Sequence, residues 1–141
     1  MEGKDFFELA QKLVQMRTEP ALRSAISRAY SAAYHCCIKL LRELGFQFSK
    51  DSSVHEKVAA HLNNSAITEI EFAGKELNYL RRRRNHADYD LALKDFQNHI
   101  VCQLDLARTQ AVIVLIEKYS HEPFRTPLRN GLREYHAKIN P

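Results

Sequence analysis

The chain has 141 residues, 45% of them apolar and 27% charged, with a formal net charge of +4. That length suits one domain with a real core and excludes two ordinary domains, and the composition excludes an intrinsically disordered chain. The mild positive charge is compatible with a polyanionic partner and does not require one.

No apolar run approaches the roughly 18–20 residues that cross a bilayer, and MEGKDFFELAQ lacks a basic-then-apolar leader pattern. The expectation is a cytoplasmic protein with no membrane partner. The three cysteines include an adjacent pair, Cys36 and Cys37. Neighbours on a helix point about 100° apart, so these read as small core residues in a reducing compartment.

In chain order, Lys4 to Met16 carries Phe6, Leu9, Ala10, Leu13 and Val14 at helical spacing. Thr18-Glu19-Pro20 places a capping residue just ahead of a proline and opens a long second helix. Leu22, Ile26, Ala29, Ala33, Cys37, Leu40 and Leu44 line one face of that helix before Gly45 closes it. Ser53-Val54-His55-Glu56 has capping-box spacing and begins a short helix with Val58 and Leu62. A fourth helix is expected over 66–85 with Ile70, Ala73, Leu77 and Leu80 inward. A fifth is expected over 94–119 with Ile100, Leu104, Ala107, Ala111 and Val114 on one side. No segment alternates as a strand does. The expected fold is all-α, an up-and-down bundle of four to five helices over residues 1–120, followed by a tail over 121–141 that is mobile or docked on a partner.

Four consecutive arginines lie in the stretch LNYLRRRRNHADYD. Continuing the fourth helix's apolar stripe in steps of about 100° lands on Arg84, with Arg81 on the same side. Arg82 and Arg83 fall on the flanks or back and read as surface charges. A guanidinium on an apolar stripe needs an anionic partner or a groove open to water. One reading pairs it with Asp88 or Asp90 at the helix end. The other faces it toward a phosphate, which the planar, permanently charged guanidinium suits.

RSAISRAYSAAYHCCIKLLRELG resembles the second helix of HEPN domains, and RNHADYD resembles the Arg-Asn-x-Ala-Asp-Tyr segment of one HEPN branch, at the expected distance downstream. The resemblance covers roughly residues 7–119. It implies a HEPN-like bundle that forms a homodimer with the two motif helices facing across a cleft. It further implies a metal-independent endoribonuclease without a cofactor, often the toxin of a toxin–antitoxin or phage-defence pair with a nucleotidyltransferase antitoxin. The residue types fit that chemistry: attack by a ribose 2′-OH needs proton movement near neutral pH, which imidazole provides, and a cation for charge building on the phosphate. Such an enzyme cuts RNA and leaves DNA.

The family hallmark, an arginine and a polar residue followed after a few positions by histidine, fits in two registers. One pairs Arg81 with His86. The other takes Arg84-Asn85, with Tyr89 at the histidine position. The candidate catalytic residues are therefore Arg84, Arg81 and His86, supported by Asn85, Asp88 and Tyr89, with Arg28 as a possible contribution from the second helix. In related pairs a tyrosine near this motif receives nucleotides from the partner enzyme, which makes Tyr89 the candidate modification site. The alternative is a HEPN binding module without catalysis that pairs with a nucleotidyltransferase or larger defence protein, or holds a nucleotide. His55-Glu56 begins like a zinc-protease motif, but Ala59 stands where the second histidine belongs and His61 points to another face, so no metal site is expected. Tyr30 and Tyr34 read as core tyrosines with satisfied hydroxyls.

Overall fold

The computed structural model describes all residues, Met1–Pro141. It contains six α-helices and no strand: α1 (Gly3–Gln15), α2 (Glu19–Glu43), α3 (Val54–Asn63), α4 (Thr68–Tyr89), α5 (His99–Tyr119) and α6 (Arg125–Ile139). A single 3-10 turn at Asp95–Gln97 separates α4 from α5. The sixth helix lies in the segment read as a tail.

Thr18 starts α2 as expected, its Oγ accepting from the Ala21 N–H at 3.4 Å, and Gly45 ends it with φ 102°, a left-handed conformation that costs glycine little. All seven residues of the expected α2 stripe are buried. This makes α2 the central helix, packed against α1, α4 and α5. Ser53 does not form a capping box: its backbone N–H donates to Asp51 Oδ1 at 2.9 Å, and its side chain also turns back to Asp51. In α1 the core residues are Phe7, Ala10 and Val14, while Leu9 is exposed.

Two helix boundaries and one helix face depart from expectation. α4 runs on through Tyr89, because Arg23 of α2 supplies donors to the carbonyls at its C-terminal end. α5 begins at His99, where Asn98 Oδ1 accepts from the Ile100 N–H at 2.9 Å. The expected α5 stripe is the exposed one: Ile100, Leu104 and Val114 are each more than half exposed, with Ala107 and Ala111 between them. The buried face instead carries Cys102, Asp105, Leu106, Thr109, Val112, Ile116 and Tyr119. Asp105 is inward because it meets Arg83, and a polar residue in that position disguised the core face. By length and apolarity α5 matches a membrane span. Its inner face, however, is packed into the bundle with a paired carboxylate at its centre.

Residues 125–139, in α6, dock on their own chain. Leu128 and Leu132 have no exposed surface and belong to the larger core cluster with α2, α3, α4 and α5. Gly131 permits the approach, since a Cβ there would overlap the Ser65 carbonyl oxygen. Gly131→Ala therefore lowers stability by about 1–3 kcal/mol, measured by chemical unfolding, as α6 is pushed off the α3–α4 turn.

His61 sits under this helix, 4% exposed and edge-on to Phe48 and Tyr135 at 5.1 Å between ring centroids. Its Nδ1–H donates to the Lys57 carbonyl at 2.7 Å, which leaves Nε2 bare and without a partner. Burial lowers its pKa, opposed by the Lys57 carbonyl and reinforced by His136. The proton therefore binds the unfolded chain more tightly. Stability from this site is complete above the unfolded value of about 6.5 and falls as the pH drops below it. The unfolding temperature declines from pH 7 to pH 5 in circular dichroism melts, and His61→Phe reduces the slope.

Candidate functional site

The four arginines divide among three environments. Arg82 is exposed. Arg83, expected at the surface, is the buried one: its Nε donates to Asp105 Oδ2 at 2.7 Å and its Nη1 to Asp95 Oδ2 at 3.2 Å. It lies on the α5 side of α4, a flank that the apolar stripe leaves uncovered, and there an ion pair takes the place of packing.

Neither Asp88 nor Asp90 pairs with an arginine of the run. Asp88 Oδ2 accepts from Ser27 Oγ at 3.2 Å, and Asp90 offers its backbone carbonyl to Arg23. Arg23 Nη1 reaches the carbonyls of His86 at 3.2 Å, Ala87 at 2.9 Å and Asp90 at 3.0 Å, while Nη2 reaches that of Leu93 at 2.9 Å. A cation on the orphaned carbonyls of a helix C-terminus is favourable for both hydrogen bonding and the helix dipole. Arg23 thus fixes the end of the motif helix. Its guanidinium and that of Arg83 both approach the fully buried Phe96 ring, at 4.6 and 4.7 Å from the centroid.

Arg81 and Arg84 are half-buried, and each has an Nε that is enclosed without a hydrogen-bond partner. Neither joins any of the ion pairs that hold Arg23 and Arg83. They face α2 and the start of α3. Arg84 lies 5.1 Å from the centroid of the Tyr30 ring. Tyr30 is 3% exposed, and its hydroxyl stands 2.6 Å from His55 Nδ1. The Tyr34 ring packs on the same imidazole at 4.3 Å.

The electrostatics follow from this crowding. Burial raises the Tyr30 pKa, with Arg81 and Arg84 opposing. Burial also lowers the His55 pKa, and the charges of Arg81 and Arg84 lower it further. His55 is therefore neutral near pH 7, beside two guanidinium groups with spare donors. The array extends along α2 through Ser27, which bridges Asp88 to Arg28: Arg28 Nη2 donates to Ser27 Oγ at 3.4 Å. Arg28 also lies over the Phe6 ring at 5.2 Å.

The remaining candidates stand elsewhere on α4. Because the helix continues through Tyr89, His86 is about 200° around from Arg84 and about 140° from Arg81, off the face those arginines share. It is exposed, as is Asn85, and its carbonyl is held by Arg23. Tyr89 is 78% exposed at the helix end. Asp88 shares the arginine face and touches α2. The structure thus brings together Arg81, Arg84, Asp88 and Arg28, and leaves His86, Asn85 and Tyr89 on other sides.

His55 and Arg23 are the residues that the sequence reading left out of the site. For His55 a signal exists. The α3–α4 connection is four residues long, so the two helices form an antiparallel hairpin. Counting equal distances from that turn sets His55 level with Glu76 or so, about one turn before Arg81. For Arg23 the local sequence offers no signal beyond a charge at a buried register of α2.

Comparison with protein-family models, with curated proteins and with solved structures gives no match.

Proposed function

We propose that the chain is a HEPN-type, metal-independent endoribonuclease, the toxin of a toxin–antitoxin or phage-defence pair acting in the cytoplasm. The observation that carries this reading is the pair of half-buried arginines, Arg81 and Arg84, which lack any carboxylate partner and converge on a histidine kept neutral. Enclosed guanidinium donors call for an anion, and a phosphodiester supplies two oxygens to a bidentate cation. In this reading Arg81 and Arg84 hold the scissile phosphate, and Arg28 holds a neighbouring one.

His55, and not His86, carries the proton. With Nδ1–H donating to the Tyr30 oxygen, Nε2 accepts the proton of the ribose 2′-OH. The 2′-oxygen forms a bond to phosphorus as the bond to the 5′-oxygen breaks. The imidazolium returns the proton to that leaving oxygen, giving a 2′,3′-cyclic phosphate and a 5′-hydroxyl. Arg81 and Arg84 offset the charge that builds on the phosphoryl oxygens. Tyr89, exposed at the end of α4, is the side chain that a nucleotidyltransferase antitoxin would reach.

The test is RNA incubated with the protein in the presence of a chelator. Cleavage leaving cyclic phosphate ends, reduced about 10²-fold by Arg84→Ala, is the expected result. RNA that stays intact yet binds, with binding lost in Arg81→Ala and Arg84→Ala, would support a second reading: a phosphate-holding module without catalysis. The absence of an imidazole from the arginine face of α4 favours that alternative. RNA neither cut nor bound overturns both.

A further inference from the structure

The outer face of α5 has no part in the arginine cluster. α5 is apolar enough along its length to match a membrane span, yet only about a third of it is buried. A helix apolar on all sides is normally covered on all sides. Here the uncovered side is a continuous seam of Ile100, Leu104, Ala107, Ala111 and Val114, with no charged residue among them. Ile100 is 58% exposed, Leu104 61% and Val114 59%, and Phe72 of α4, 48% exposed, stands beside them.

We infer that this face docks a second copy of the chain, α5 against α5 and antiparallel, about a two-fold axis at Ala107. The seam repeats at spacings of four and three, the heptad rhythm of paired helices. Its order of sizes is large, large, small, small, large. Turned end for end about Ala107, it sets Ile100 against Val114 of the mate and Ala107 against Ala107, with Leu104 one residue off level from Ala111. The outer layers pair larger residues and the central Ala107 layer is the smallest, so alanine at the crossing lets the axes approach to about 8 Å.

The rims favour the same occupant. Gln103 and Gln110 flank one side and come opposite each other in this register. On the other side Arg108 Nη1 meets both carboxylate oxygens of Glu76 at 3.1 Å. The two-fold brings Arg108 beside Arg108 of the mate, and each guanidinium carries its own Glu76 carboxylate, so the rim is locally neutral. The four large residues expose on the order of 400 Å² of apolar surface, at the level where monomers carry a functional patch. With the rims, two copies cover on the order of 1,000 Å² in total, the lower range of specific interfaces.

Phe72 and Glu76 lie on the flank of α4 that also carries Arg83, whereas Arg84 and Arg81 lie about 100° and 160° further round. A dimer through α5 therefore leaves the Arg81–Arg84 face uncovered and is a different interface from the motif-helix dimer that the HEPN resemblance implies, and the inference does not depend on the function proposed for that face.

The test uses the full chain. Analytical ultracentrifugation over tens to hundreds of micromolar is expected to show a monomer–dimer equilibrium. Leu104→Glu abolishes the dimer with an unchanged melting temperature. Register is read by cysteine pairing under mild oxidation: Ala107→Cys cross-links two chains, while Val114→Cys, displaced from its mate by about 21 Å along the axis, does not. A monomer at every concentration overturns the inference, as does a dimer indifferent to Leu104→Glu or a Val114→Cys cross-link that forms as readily as the Ala107→Cys one. Binding to lipid vesicles that Leu104→Glu abolishes, with a monomer in solution, would assign the face to a membrane surface and also overturn it.

Discussion

Replacing His55 with alanine lowers the rate of RNA cleavage by about 10²–10⁴-fold, the usual contribution of a positioned proton carrier, while His86→Ala leaves the rate unchanged. The contrast follows from α4 remaining helical through Tyr89, which turns His86 away from Arg81 and Arg84. His55 faces those arginines from α3 and is held by the Tyr30 hydroxyl at 2.6 Å and by the Tyr34 ring. Its pKa lies below the usual histidine value because of burial and then the charges of Arg81 and Arg84. The base form therefore dominates at neutral pH, and the rate rises with pH through a value below about 6.5 and then levels. Tyr30→Phe keeps the packed ring and removes the hydroxyl, so it moves that pH profile, which a purely structural residue would not do. Equal losses in the His55 and His86 variants would remove the assignment.

Arg83→Ala destabilises the fold by about 3–5 kcal/mol, because it leaves the carboxylate of Asp105 buried without its partner. Asp105 is 2% exposed, and its ion pair at 2.7 Å ties the motif helix to α5. Against a typical total of 5–15 kcal/mol, that loss is large. Asp95 does not compensate, since it is exposed and meets the other end of the guanidinium. Arg83→Met combined with Asp105→Leu removes both charges at similar volume and is expected to restore most of the stability or exceed it. Urea unfolding of the two single variants and the double variant measures the coupling directly. Single variants that unfold like the wild type would show that the pair is solvated in solution. Arg82→Ala, on the exposed side of the same helix, has little effect.

The all-helical fold and the inner faces of α2 and α4 were legible in the sequence, because a stripe such as Leu22, Ile26, Ala29, Ala33 points to a single buried side. α5 was not, because it is apolar on both faces. The stripe of Ile100, Leu104, Ala107, Ala111 and Val114 is the exposed one, and the equally leucine-, isoleucine- and valine-rich core face is masked by Asp105 and Thr109. The arginine run was half legible. Stepping from Leu77 and Leu80 to Arg81 and Arg84 puts those two on the inward side of α4, where both are half-buried and Arg84 lies over Tyr30 of α2. Arg83 was misplaced because its partner Asp105 lies 22 residues away, on a helix whose rotation was itself misread. The expected end of α4 near Asn85 depended on local signals. The cap that carries it to Tyr89 comes from Arg23, more than 60 residues earlier in the chain. Read locally, His55-Glu56 resembles only the start of a metal-ligand motif. Its meeting with Arg81 and Arg84 is a consequence of the α3–α4 hairpin and of no local motif.

The most direct measurement is the titration of the histidine imidazoles by NMR, with and without a short oligonucleotide whose ribose 2′-OH groups are replaced by hydrogen so that it cannot be cut. An anion seated between Arg81 and Arg84 offsets the charges that depress His55. The account therefore predicts that the His55 pKa rises on binding, that His86 does not respond, and that the rise disappears in Arg81→Gln and Arg84→Gln. A His55 resonance indifferent to the oligonucleotide, or a response centred on His86, would contradict it.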